Sequence, residues 1–321
     1  MNPRHRHRAW RMKGRTLLEL MIAITIGIVI LGALIAVYLA TGASSRQTTA
    51  VSRMNEDAAI AFSLMSSQLR MAGFSIPRKG VVPGAATVDG VSVSLPDRKF
   101  IGAGIRACDH GFTSSTVAFN ALACATGSTG AAAFAVRFEG ADPAGTADDF
   151  RFLVPANLDC LGQAVGDDAA ELSTDAEGAL YPLVESRFTV GANGSSGTSD
   201  LSCIGNGNAF ARSQPMVQNV ADMRLRFGVA ANGTSSDVVQ YLDSAADVDA
   251  LGASADQNWS RVVTVRLCLL MRGASASPAD AGTSYVDCDG NPTSSSDGFS
   301  RRSYVQTIAL RNRGGIAGMA P

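Results

Sequence analysis

The chain has 321 residues, six cysteines, 33 glycines, only 17% charged residues and a formal net charge of −1. This length allows one large domain or two modest ones beyond an anchor, and a Gly-rich, charge-poor composition fits a loop-rich β protein of an oxidising compartment better than a helical cytosolic enzyme. Five basic residues, Arg4, Arg6, Arg8, Arg11 and Lys13, precede Gly14; beyond it 22 Lys and Arg face 28 Asp and Glu, a balance of −6 that argues against a nucleic-acid surface.

From Leu20 to Ala40 the sequence carries no charge. A run of about 20 apolar residues matches the hydrocarbon thickness of a bilayer at the rise of an α-helix, and in lipid only a helix satisfies the backbone of a single segment. Basic residues crowd its N-terminal flank and the next charge is Arg46, so the leader is expected in the cytoplasm and the chain beyond Ala40 outside. A conventional secretory signal is the rival, but the run is too long and Glu19 interrupts the place where its apolar core should start. A lone carboxylate at Glu19 costs about 2.5–3.5 kcal/mol at a membrane helix centre and less near the interface. It either marks the headgroup boundary or has a specific partner.

Thr41-Gly42-Ala43-Ser44-Ser45 is a small polar break. Beyond it Val51, Met54, Ala58, Ala61, Met65 and Ala72 recur at three- and four-residue steps, with Phe62 and Leu69 beside them, while Arg53, Glu56 and Asp57 fall on the other side. That periodicity predicts an amphipathic helix, stopped at Gly73 with Pro77 close behind. Strand patterns follow at Thr116–Asn120, Ala132–Phe138, Phe150–Val154, Tyr181–Val190, Met216–Val229, Arg261–Met271 and Tyr304–Leu310, separated by Gly/Ser/Asp/Asn loops. Alternation in Met223-Arg224-Leu225-Arg226-Phe227 puts the apolar side chains on one face and the arginines on the other. These elements predict antiparallel strands with one face against the amphipathic helix.

Cys108, Cys124, Cys160, Cys203, Cys268 and Cys288 all lie beyond the membrane run, and an even count outside the cytoplasm reads as disulfides. Six cysteines allow 15 connectivities; sequence neighbours suggest Cys108–Cys124, Cys160–Cys203 and Cys268–Cys288, and there is no CxxC spacing for zinc or redox chemistry. Catalytic signals are weak. His110 is the single histidine beyond the leader, two residues from Cys108, and no GxSxG elbow accompanies it. Asp148 with Asp149 and Asp167 with Asp168 read as solvated turn residues. Asp287-Cys288-Asp289-Gly290-Asn291 begins like a calcium loop, but Pro292 and Gly298 stand where its glycine and closing Glu belong. No cofactor and no metal are expected.

Gly14-Arg15-Thr16-Leu17-Leu18-Glu19-Leu20-Met21-Ile22-Ala23 resembles the class III signal of type IV prepilins and pseudopilins, save that the family usually has Phe where Arg15 stands. The resemblance implies cleavage between Gly14 and Arg15 by a prepilin peptidase, N-methylation of Arg15, and a Glu19 carboxylate that neutralises a neighbouring subunit's new amino group in the fibre core. Buried charges are tolerated in such a pair and costly alone. An internal pairing of Glu19 with Arg15 is the rival.

Met54-Asn55-Glu56-Asp57-Ala58 and Leu69-Arg70-Met71-Ala72-Gly73-Phe74 resemble the PilW-type minor pilins. So do Val217-Gln218-Asn219-Val220, Val263-Thr264-Val265-Arg266 and Leu310-Arg311-Asn312-Arg313. Residues 80–215 match nothing of the kind. The resemblance implies an α+β, type IV pilin-like fold in which a long N-terminal helix packs on an antiparallel β-sheet domain. Its parts are a cleaved leader (1–14), a transmembrane and fibre-core helix (15–40), an amphipathic helix (41–73) and a periplasmic β-rich domain with disulfides (74–321). Implied partners are the prepilin peptidase, other minor pilins and the major pilin, the inner-membrane assembly platform and a tip adhesin. The alternatives are a type II secretion pseudopilin, which shares the N-terminal signal, and a membrane-tethered periplasmic enzyme or adhesin domain.

Overall fold

The computed structural model describes residues 16–75, 85–88, 91–94, 100, 102–127, 129–140, 157–166, 172–174, 180–192, 198–233, 235–252 and 254–312. The chain divides into two units, Met1–Ser52 and Arg53–Pro321.

One helix, α1, runs through Leu17–Met71. The polar stretch Thr41–Ser45, a break or only a kink by its sequence, does not interrupt it. The hydroxyls of Thr41, Thr48 and Thr49 donate back to the carbonyls of Val37, Ser44 and Ser45 at 2.8–3.0 Å, so these poor helix formers satisfy themselves inside the helix. In the second unit α1 buries Met54, Ala58, Ala61, Met65, Leu69 and, at its end, Ala72, residues of the predicted stripe, while Phe62 stays half-buried. It ends at Gly73, in the left-handed region at φ 77°. There Phe74 N donates to Met71 O at 2.9 Å and Gly73 N donates outward to Arg137 O at 2.9 Å, a glycine C-cap.

All strand pairings among the described residues are antiparallel. One sheet comprises, among the described residues, β3 (Ile105–Cys108), β4 (Ala133–Glu139), β5 (Leu172–Thr174), β6 (Leu180–Ala192), β7 (Ser199–Gly205) and β8 (Gln214–Val217). Its order is β3-β4-β6-β7-β8, with β5 on β6. The other comprises β9 (Val220–Val229), β10 (Gln240–Leu242), β11 (Val262–Arg272) and β14 (Arg301–Ala309), in the order β10-β9-β11-β14. β1 (Ala85–Val88) pairs with β2 (Val91–Ser94), and β12 (Ser284–Val286) with β13 (Pro292–Ser294), as separate hairpins. Two short helices, α2 (Ala245–Asp249) and α3 (Ala255–Ser260), sit between β10 and β11. The architecture is α+β: a long N-terminal helix with antiparallel sheets.

Aromatic pairs mark the core. Phe134 and Phe188 face each other across β4 and β6 and stack at 4.9 Å between centroids. Phe227 of β9 meets Trp259 of α3 edge-on at 5.2 Å, and the indole N–H donates to Asp249 Oδ1 at 2.7 Å. Such pairs add about 0.5–1.5 kcal/mol beyond their area burial.

The sequence expectation departs from the structure in two strands. Thr116–Asn120 is a bent segment closed by a 3-10 turn at Phe119–Ala121. Its apolar residues Phe119 and Leu122 are buried, but by a loop rather than a pleated strand. Met216–Val229 is split: Val217 ends β8 in one sheet, and Val220 opens β9 in the other. Asn219 makes the turn at φ 61°, a conformation that asparagine tolerates better than most residues. Asn219 N donates to Asp200 Oδ1 at 3.3 Å and Asn219 O accepts from Arg272 N at 2.9 Å. The expected strand Phe150–Val154 and the aspartates at 148, 149, 167 and 168 lie outside the described residues.

Three disulfides join sequence neighbours: Cys108–Cys124, Cys160–Cys203 and Cys268–Cys288. The first closes the loop that carries Phe119. The second ties the Asp159 turn to β7. The third ties the loop between β12 and β13 to β11.

Candidate functional site

Gly14 and Arg15 lie outside the described residues. The first described contacts are reciprocal: Thr16 N donates to Glu19 Oε2 at 3.4 Å, and Glu19 N donates to Thr16 Oγ1 at 3.3 Å. This is a capping box, T-x-x-E, which satisfies two backbone donors that the first turn of a helix leaves open. Glu19 therefore has a partner within its own helix. The motif is readable in Thr16-Leu17-Leu18-Glu19, but a search for a partner to the charge alone passes over it.

The large apolar side chains of the run behind Glu19 are exposed. Leu17, Val29 and Tyr38 present 72–79% of their surface, and the most apolar stretch of 18 residues has a mean hydropathy of 2.9 with 0% buried. By length and composition this helix could cross a membrane. Within the run, the Thr25 hydroxyl donates to Ile22 O at 2.9 Å, so its polar hydrogen does not point at an apolar environment.

The second unit grips α1 from Asn55 onward. Tyr304 of β14 donates its hydroxyl to Asn55 Oδ1 at 2.5 Å, and Asn312 Nδ2 donates to Arg70 O at 2.9 Å. Asn312 thus caps a carbonyl of the last helical turn, while the Arg70 side chain is exposed. Leu310 is buried beside Ala72, Gly104, Trp259 and Val262. Gly104 touches the helix end so closely that a Cβ there would lie 2.0 Å from Gly73 N. Gln68 Oε1 accepts from Ser186 Oγ at 3.1 Å, and Ser186 Oγ accepts from Cys160 N at 2.9 Å, which joins helix, sheet and disulfide loop. Asn55, Arg70, Gly73, Leu310 and Asn312, quoted above from separate stretches of sequence, form one clasp on the helix.

Behind the clasp are buried charges. Arg187 is fully buried; its Nε donates to Glu185 Oε1 at 2.6 Å, its Nη1 donates to Ser115 O at 2.6 Å, and its guanidinium lies 4.0 Å over the Phe210 ring. Burial pushes the Glu185 carboxyl up and the Arg187 guanidinium down, each opposed by the other's charge. Arg137 is held between the rings of Phe119 and Phe100, at 4.1 and 4.9 Å, and donates to Ala103 O at 2.9 Å. Burial lowers it against the opposing pull of Asp256, 3.6 Å away. Both arginines are spent on structure.

The described residues that the sequence offered for catalysis or calcium are engaged as follows. Cys108 is disulfide-bonded and has no thiol. His110 Nδ1 lies 3.3 Å from Gly130 O, which also accepts from Arg224. Asp287 Oδ1 accepts from Asp289 N and Asn291 N at 3.0 and 2.8 Å, an Asx turn that shapes the loop between β12 and β13.

Residues 187–312 match the family model described as Type IV Pilus-assembly protein W. The match runs from Arg187 in β6 to Asn312, and so takes in the Asn219 crossing, β11, β14 and the end of the clasp. No curated protein matches the chain. Among solved structures, a type IV-like pilin from Thermus thermophilus aligns over 82% of this chain and 99% of its own, at 11% identity and a TM-score of 0.34. The family match supports a pilus-related role, and the apolar helix α1 could serve as a membrane anchor.

Proposed function

We propose that this chain is a minor pilin of a type IV pilus, acting through binding in a priming or tip complex with other minor pilins. The observation that carries this reading is α1. It is one continuous helix whose N-terminal apolar run is left exposed while its C-terminal stripe is buried. Exposed apolar surface costs about 25 cal/mol per Å² in water, so the run is built to be covered by lipid or by like helices. The family match over residues 187–312 supports the same reading.

In this account a prepilin peptidase cuts after Gly14 and Arg15 becomes the N-methylated first residue. The helix 15–40 then holds the chain in the inner membrane, leader side in the cytoplasm and residues 74–321 in the periplasm, until the assembly platform extracts it. Glu19 leaves its capping box with Thr16 to meet the amino group of a neighbour. Major pilin and a tip adhesin complete the partners, and no covalent chemistry follows processing.

Intact-mass measurement of the chain purified from membranes tests the first step. The expected species lacks residues 1–14 and carries one added methyl, and Gly14→Val keeps the leader. An uncut wild-type chain would overturn the reading. The second step is tested in sheared pili. Glu19→Ala is expected to be processed normally yet be scarce in the fibre, whereas Thr16→Ala, which removes only the cap, is incorporated. Normal incorporation of Glu19→Ala discards the charge-pairing account.

A further inference from the structure

We propose that Arg226 and Arg266 form an outward-facing anion fork that docks a carboxylate-rich segment of a neighbouring pilus subunit. The register sets the two side by side: Arg226 of β9 is directly opposite Arg266 of β11. Their neighbours along each strand, Leu225, Phe227, Val265 and Leu267, are buried, so both arginines lie on the opposite, outer face of the sheet. Like charges directly opposite each other destabilise a sheet.

The same face holds a second pair of opposed arginines, in which both guanidinium groups are engaged. Arg272 of β11 is directly opposite Arg301 of β14. There Arg301 is bound by Asp297 at 2.5 Å, and Arg272 lies 4.4 Å over the Phe299 ring. Arg224 is likewise consumed by Asp222 at 3.2 Å and by the carbonyls of Asp109 and Gly130. In the Arg226–Arg266 pair only Arg226 has a described acid or ring against it. Asp243 lies 3.2 Å from Arg226 with its side chain 78% exposed, and among the described residues Arg266 has no ion-pair partner. Arg266 is exposed and its guanidinium stands outside ion-pair distance of any described acid, with Asp287 and Asp289 in the loop that the Cys268–Cys288 disulfide ties to the same strand. The register neighbour of Arg266 on the β14 side is the short, exposed Thr307, followed by the half-exposed Val305.

Two adjacent guanidinium groups suit carboxylates, each accepting paired N–H bonds. A subunit as rich in acid as this chain beyond residue 14, where the balance is −6, offers such groups in excess. Asp243 then acts as a resident competitor that an incoming carboxylate displaces. The assignment of the partner to a pilus subunit rests on the reading above; the anion fork itself does not.

The test uses the full chain in detergent micelles and a fluorescent peptide of alternating Glu and Ser, followed by anisotropy at low salt. Wild type is expected to bind, with affinity falling as salt rises. Arg266→Gln should weaken binding by about two- to fivefold, without lowering the thermal midpoint. Arg226→Gln combined with Arg266→Gln should abolish binding, and Asp243→Asn should strengthen it by removing the competitor. Arg302→Gln, an exposed arginine whose partner Met271 faces the core, should change nothing. Equal binding by wild type and the double variant overturns the proposal, as does an Asp243→Asn chain no tighter than wild type. A single-stranded oligonucleotide that displaces the peptide at lower concentration than unlabelled peptide does would also overturn it, in favour of phosphate recognition. An uncut leader would remove the pilus as the source of the partner and leave these binding results standing.

Discussion

Arg187 sits at 0% exposure with Glu185 as its countercharge. Two ions taken out of water are tolerated because each satisfies the other, and removing one strands its partner. Glu185→Ala is therefore expected to cost about 3–5 kcal/mol in chemical denaturation. Adding Arg187→Met should recover much of that loss, because the stranded charge goes with it. An exposed pair behaves differently. The Arg301 guanidinium, together with hydrogen bonds from Phe299 N and Ser295, holds the Asp297 carboxyl well below the usual carboxylate range. A depressed folded-state value means that its contribution is complete above the unfolded-state value near pH 4 and fades as pH falls through the depressed one. The gap in thermal midpoint between wild type and Asp297→Asn should thus be widest near neutrality and close in strong acid; a gap that widens on acidification contradicts the sign.

At the level of single elements, the end of α1 is tightly constrained by backbone on its far side. A methyl group at Gly104 would meet Gly73 N at 2.0 Å, Gly73 Cα at 2.5 Å and Ala72 C at 2.6 Å, all of them backbone. Backbone cannot swing aside like a side chain, so Gly104→Ala should cost about 1–3 kcal/mol, the usual range for overpacking, read as a lower denaturation midpoint. Gly191 in β6 has nothing within 4 Å of the same position, and Gly191→Ala should be neutral or slightly stabilising. Part of this is legible in the sequence. Gly73 follows a clear 3.6-residue stripe and announces its stop. Its contact with Gly104 cannot be read there, because it depends on a strand about 30 residues away in a stretch with no recognisable pattern.

For the whole molecule, local signals carry the sequence reading as far as local physics decides structure. The strands at Ala133–Glu139, Leu180–Ala192 and Val262–Arg272 lie close to their alternating apolar patterns, and the cysteines pair with their neighbours. The division into two sheets is hidden, because Met216 to Val229 reads as one strand pattern and only Gln218 and the left-handed Asn219 separate its halves. The clasp is hidden for a related reason: Asn55, Arg70 and Asn312 stand out singly in sequence, but only the fold shows that they meet. Disulfides distribute stability across this architecture unequally. Cys160–Cys203 spans 43 residues and Cys108–Cys124 spans 16, so in the chain-entropy model their removal costs about 4 and about 3 kcal/mol. Replacing Cys160 and Cys203 together by Ala should lower the thermal midpoint more than replacing Cys108 and Cys124.

The bonds from Tyr304 to Asn55 and from Asn312 to Arg70 bridge separations of 249 and 242 residues. A chain synthesised from its N-terminus presents the oily stripe of Met54, Ala61, Met65 and Leu69 long before the strand that fastens it has been made. Throughout that interval the stripe is a sticky surface waiting for its lid, and late-closing contacts of this kind make for slow maturation and a window open to aggregation.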